Sequence, residues 1–173
     1  MISNASPLIF FAKANKLDLL CKVFPKIFIP REVFEEVVVQ GQGTPDAVLV
    51  QQYVDQGQII VKDLSQKYSS LTVQLVRRHS SLDKGEAETI CLALQEGENE
   101  VLMDDSAGRK VAELNNLIPS GSVRALLLAF QQGFISRNDT LKIMTLLLDT
   151  GLYLGAEVLE KFYAVLDKIE KGK

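Results

Sequence analysis

The sequence predicts a three-layer α/β/α fold around a central parallel sheet, followed by C-terminal helices. Three observations carry this. Short apolar runs of strand length alternate with longer segments of helical period; the alternation stops after Gly133; and no internal repeat or long linker divides the 173 residues. That length suffices for one domain with a substantial core.

Met1-Ile2-Ser3 supplies only a short first strand. Ser6-Pro7 reads as an N-cap followed by proline at the first helical position, opening one or two short helices through Leu8, Ile9, Ala12 and Leu17 to Val23, with a break around Asn15-Lys16. Ile27-Phe28-Ile29 is a brief strand ending at Pro30. From Arg31 to Val39 the residues Phe34, Val37 and Val38 share one helical face, and Gly41 to Pro45 is a loop before a helix over 46–55. Residues 58–61 form the next strand, and a polar helix runs through Leu71, Leu75 and Val76. Asp83 precedes a helix whose Ala87, Ile90, Cys91 and Leu94 recur at helical spacing. Val101-Leu102-Met103 is a continuous apolar strand ending at Asp104-Asp105. Ala107, Val111 and Leu114 mark a helix, Leu117-Ile118-Pro119 a strand, and residues 121–130 a helix. Beyond Gly133, residues 139–148 and 156–169 each carry one apolar stripe (Leu141, Met144, Leu148; Val158, Phe162, Leu166), which either completes the core or forms a subunit contact in a homodimer.

Composition removes several chemistries. Nineteen basic against twenty-two acidic residues give a net charge of −3, which excludes a strongly basic nucleic-acid coat but not a local patch. One histidine, His79, and two cysteines, Cys21 and Cys91, cannot build a zinc site or a disulfide framework. The cysteines sit in apolar stretches and read as small hydrophobes of a reducing compartment. No basic segment followed by a long apolar run opens the chain, and the longest apolar runs are too short to span a bilayer. A cytoplasmic protein with no membrane partner is expected. Gly41-Gln42-Gly43 lacks the context of a dinucleotide fingerprint, and neither a phosphate-binding loop motif nor a Gly-x-Ser-x-Gly elbow occurs.

Polar chemistry must therefore rest on carboxylates, hydroxyls and amides. In open α/β sheets ligands sit outside the carboxyl ends of the strands. Asn4, the pair Asp104-Asp105, and Ser120 fall there, with Glu35 or Glu36 and Glu86 or Glu88 on helices nearby. Converging carboxylates repel unless a cation relieves them, and a hard divalent ion such as Mg²⁺ or Mn²⁺ prefers oxygen ligands. Structural roles compete for the same residues. Asp105 or Ser106 suits the N-cap of the following helix, Asp83 and Glu86 have capping-box spacing, and glutamates beside an apolar stripe are ordinary surface residues.

Four segments in order, Ile2 to Ile9, Ile29 to Val37, Leu82 to Glu88 and Leu102 to Asp105, resemble the PIN-like domain family, in its toxin-type, VapC-like branch. The resemblance covers residues 1–135 as a PIN-like nuclease domain, with 136–173 as a helical extension packed on it. It implies a three-layer PIN-like fold and a Mg²⁺- or Mn²⁺-dependent endoribonuclease acting on single-stranded RNA, the toxin of a toxin–antitoxin pair with an antitoxin protein as partner. By position, Glu36, Glu86 and Asp105 match the acidic metal ligands, Asp104 shares that role, Ser6 matches the hydroxyl of the first loop, and Arg109 is placed for a phosphate contact. The departure is Asn4, where the nuclease pattern has aspartate. An amide oxygen can coordinate a cation but brings no charge, so a catalytically weakened module that binds nucleic acid or a protein without cleavage is the alternative.

Overall fold

The computed structural model describes residues 1–172. Among them the chain runs β1 (Ile2–Ser3), α1 (Ala5–Lys13), α2 (Leu17–Val23), β2 (Ile27–Pro30), α3 (Arg31–Phe34) continuing into a π-helical turn (Glu35–Val39), α4 (Pro45–Asp55), β3 (Ile59–Lys62), α5 (Gln66–Arg78), α6 (Lys84–Glu96), β4 (Glu100–Leu102), α7 (Ser106–Leu114), β5 (Ile118–Ser120), α8 (Ser122–Gln131), α9 (Arg137–Asp149) and α10 (Ala156–Lys171). The strands form one all-parallel sheet, as the alternation of elements predicts, and its order is β3-β2-β1-β4-β5. Ile2 pairs with Phe28 on one side and Val101 on the other, so β1 is central. Pro119 lies on the edge strand β5, where its missing N–H removes no ladder bond on the open side.

Alternation along the strands builds two apolar layers. Ile27, Ile29 and Leu102 face a core shared with α1, α2, α4 and α8. Ile2, Val101 and Met103 face a second core made by α5, α6 and α7. Ile143, Met144 and Leu147 of α9 and Phe162 and Leu166 of α10 belong to the first core, so the C-terminal stripes complete the core. Val158, expected in that stripe, is instead 42% exposed.

Several local expectations are corrected. The N-cap of α1 is Asn4, with extended backbone, and Pro7 sits in the first turn, where helical N–H groups have no intrahelical partner and its lack of one costs nothing. The segment 31–39 is not one regular α-helix. Its second half widens to a π turn closed by the Gln40 N–H on the Glu35 carbonyl at 2.8 Å, and of the residues expected on one face Val37 is buried while Phe34 and Val38 are half-buried. Leu114 is exposed, and α7 buries Gly108, Val111 and Ala112 instead. The break between α1 and α2 falls where expected: Asn15 takes left-handed backbone at φ 53°, which asparagine tolerates. Among the described residues no helix is long and apolar enough to cross a membrane.

Candidate active site

All five strands end at the same rim because all are parallel, and the residues that follow β1, β4 and β5 meet there. Asn4 continues the ladder with its N–H on the Leu102 carbonyl at 3.0 Å. Its side chain is buried at 4% exposure, and its Oδ1 finds no hydrogen-bond partner among the described residues. The alternation that sends Ile2 into the core under α6 and α7 sends Asn4, two residues on in extended backbone, toward the same side. A buried carbonyl oxygen without a donor is an acceptor held ready for one.

Asp105 and Glu86 meet on that side. Asp105 caps α7, its Oδ1 accepting from the N–H groups of Ala107 at 2.7 Å and Gly108 at 3.0 Å. Glu86 is buried and closes a capping box with Asp83, accepting the Asp83 N–H at 3.0 Å while its own N–H donates to Asp83 Oδ1 at 2.7 Å. Both structural roles read from the sequence are therefore filled, yet the two carboxyls also stand close enough to shift each other's titration. Burial pushes Glu86 up to about 7, against the pull of the Asp83 N–H; the charges of Asp83 and Asp105 and the bond to Asp105 raise it further. Burial acts upward on Asp105 too, but the N–H groups of Gly108 and Ala107 and the bond from Glu86 outweigh it, and its carboxyl lies below the usual range. Of the two, Glu86 is the carboxyl that gives up its proton later. Gly108 makes this approach feasible: a Cβ there would stand 2.5 Å from Met103 Sδ and 2.9 Å from Glu86 Oε1.

Asp104 turns the other way. Its Oδ1 accepts the Ser122 N–H at 2.8 Å and its Oδ2 the Ser122 hydroxyl at 2.6 Å, so it caps α8 from the end of β4. Burial pushes its carboxyl up, while the two Ser122 bonds and the Arg109 charge oppose that rise. Gly121 admits this contact, since a Cβ would lie 2.6 Å from Asp104 Oδ1. Arg109 donates from one guanidinium nitrogen to the Met103 carbonyl at 3.1 Å, one turn above the rim.

Glu36 reaches a neighbouring place. The residue is exposed along its length, but its Oε2 comes within 3.2 Å of a Cβ position on Gly85, at the start of α6. Burial of that carboxyl end, with the charges of Asp83 and Glu32 beside it, pushes it up. Glu88 is engaged elsewhere, where its Oε2 accepts the Glu32 N–H at 3.1 Å and ties α3 to α6. Ser6 lines a cleft of about 300 Å³ with Phe10, Asp104, Asp105, Ser106 and Tyr153.

The acids thus fall into the Glu86–Asp105 pair, the Glu36–Asp83 neighbourhood and the Asp104 cap. Among the described residues no three His, Cys, Asp or Glu groups lie together closely enough to hold an ion by themselves. The donor chemistry still fits a hard divalent cation, because two carboxyls and one unpartnered amide oxygen face the same side of the rim and none of the donors is soft. Asp83, Ser122 and Tyr153 are additions to the residues expected here. Asp83 was legible only as a cap, and Ser122 becomes a partner of Asp104 only once β4 and β5 pair. A family model described as a PIN domain matches residues 1–168. No curated protein matches the chain.

Proposed function

The chain belongs to the PIN-domain family, and from that premise we propose that it is a divalent-metal-dependent endoribonuclease. The observation that carries this reading is the buried, unpartnered Oδ1 of Asn4 on the same side of the rim as the Glu86 and Asp105 carboxyls. Glu86, Asp105 and Asn4 would hold Mg²⁺ or Mn²⁺, with Glu36 and Asp104 completing the acidic surround. When bound, such an ion supplies an activated water and stabilises charge on the leaving oxygen. Ser6 and Arg109 orient the phosphate from the cleft wall and from α7. Asp105, anchored by two N–H groups, is the rigid member of the set, and Glu86 is the member that must release a proton to become a ligand.

Within this proposal residues 1–135 are the nuclease domain and 136–173 its C-terminal extension. The order of the four matching segments, three of them acidic, supports a VapC-like toxin restrained by an antitoxin. A second reading, a module that binds nucleic acid or a protein without cleaving, is favoured by the neutral amide of Asn4 and by the absence of a three-acid group among the described residues. Cleavage of an RNA panel with Mn²⁺ or Mg²⁺, beside a calorimetric Mn²⁺ titration, separates the two. The nuclease reading expects cleavage by the wild type and a loss of more than about 100-fold in Asp105→Asn, beyond what changes around a ligand shell cost. Asn4→Asp adds a charged ligand and should tighten Mn²⁺ binding. No Mn²⁺ binding and no cleavage in the wild type, with both gained in Asn4→Asp, would establish the binding module instead.

A further inference from the structure

The cleft at the acidic rim does not end there. It shares Asp104, Ser106 and Tyr153 with a second groove of about 400 Å³ that runs between α7, α8 and α10. Arg109 from α7, Arg124 from α8 and Lys161 from α10 all line this groove, in a chain whose net charge is −3. Tyr153, in the segment joining α9 to α10, stands at the junction of the two spaces and is 90% exposed. Val158 and Val165, both about two-fifths exposed, give the groove an apolar wall on α10.

The ion pairs of these cations are exposed, Arg124 with Glu100 at 3.4 Å and Lys161 with Glu157 at 2.6 Å, where such pairs are weak and a phosphate can displace the carboxylate. Arg124 is also braced by a hydrogen bond to the Ser120 hydroxyl at 3.0 Å, which fixes one end of its guanidinium beside the groove. Arg109 uses one guanidinium nitrogen on the Met103 carbonyl, and its remaining donors are a fork suited to phosphate. An aromatic face in solvent beside a row of cations is the arrangement that takes a single-stranded nucleic acid: bases stack on the ring and the backbone follows the charge. A base-paired duplex keeps its bases stacked on each other and has none to lend to Tyr153.

Resting on the nuclease reading above, we infer that this groove is the track of a single RNA strand entering the site. Tyr153 stacks an unpaired base next to the scissile phosphate, and Arg109, Arg124 and Lys161 hold the phosphates that follow. Tyr153 is a positioning residue, and its removal should weaken binding of the strand with no effect on the acids.

The test is fluorescence anisotropy of a labelled oligouridine, and of a labelled RNA duplex, in EDTA, where no cleavage occurs. Cleavage with Mn²⁺ is measured alongside. Oligouridine should bind more tightly than duplex. Tyr153→Ala should weaken oligouridine at least about fivefold, while Tyr153→Trp keeps it, as stacking requires. Arg124→Gln should lower the slope of log affinity against log salt by about 0.7, the value for one phosphate contact on a single strand. Cleavage by the wild type with Tyr153→Ala unchanged in both KM and affinity overturns the track and leaves the nuclease standing. Binding by the wild type that depends on Tyr153, without cleavage, supports the track and overturns the nuclease. No anisotropy change in the wild type, as for a groove that seats a protein, overturns the track whatever the cleavage arm gives.

Discussion

Glu86 holds its proton to a higher pH than an ordinary carboxyl because of its surroundings. Its carboxyl is buried, Asp83 and Asp105 add negative charge beside it, and its folded pKa is pushed from 4.5 to about 7. The unfolded chain loses that proton near the ordinary value. Between the two values the folded chain binds the extra proton, so stability contributed by this group is present below the lower value and is lost as pH rises toward about 7. The full difference corresponds to about 3 kcal/mol. Glu86→Gln removes the titration while an amide oxygen still accepts the Asp83 N–H. Thermal unfolding should show this variant more stable than the wild type at about pH 8 and less dependent on pH between about 5 and 8. Equal pH slopes in the two proteins would show that Glu86 is already ionised when folded. The bonds around Glu86 were legible in the sequence, since Asp83 and Glu86 stand at capping-box spacing and Asp105 precedes a helix. The approach of Glu86 to Asp105 was not, because nothing in the spacing of positions 86 and 105 shows that α6 and α7 bring them together.

At the scale of elements, the first turn of α7 is where the site is assembled. Gly108 lets α7 settle against Met103 and Glu86 at a distance that no side chain permits. Gly108→Ala must push the helix outward or displace Glu86, and overpacking of this kind costs about 1–3 kcal/mol. Urea unfolding measures the loss, and an unchanged midpoint would show that α7 moves aside without penalty. Helices and strands were legible to within a few residues because their apolar periods are clear, as in Ala87, Ile90, Cys91 and Leu94 of α6, all but the last buried. The errors fell where periodicity gives no instruction. A π turn inserts its extra residue within a run of β-branched side chains that reads as regular helix, and the start of α1 depended on choosing Asn4 or Ser6, both good caps.

For the whole molecule, the C-terminal helices and the sheet form one unit. Phe162 is 1% exposed and Leu147 and Leu166 are fully buried in the core that also holds Leu8, Leu20 and Ile29. Phe162→Ala should therefore cost about 3–5 kcal/mol of global stability, read as a single cooperative denaturation curve with a lower midpoint. A separate early transition, with the main one unmoved, would mean that the helices fold as an independent appendage. The α/β class followed from the order of elements. The order of strands in the sheet did not, since it rests on which distant segments pair. That order also sets a timetable. β1 precedes the other strands of the sheet in the chain, yet it is flanked by β2 and by β4, whose Val101 and Leu102 are its partners. On the ribosome Asn4 emerges about a hundred residues before the strand that takes its N–H, and the helices that seal the core come later still. The nascent chain thus carries no assembled rim until β4 has followed β1, and the site comes into being only once segments far apart in the chain have both emerged.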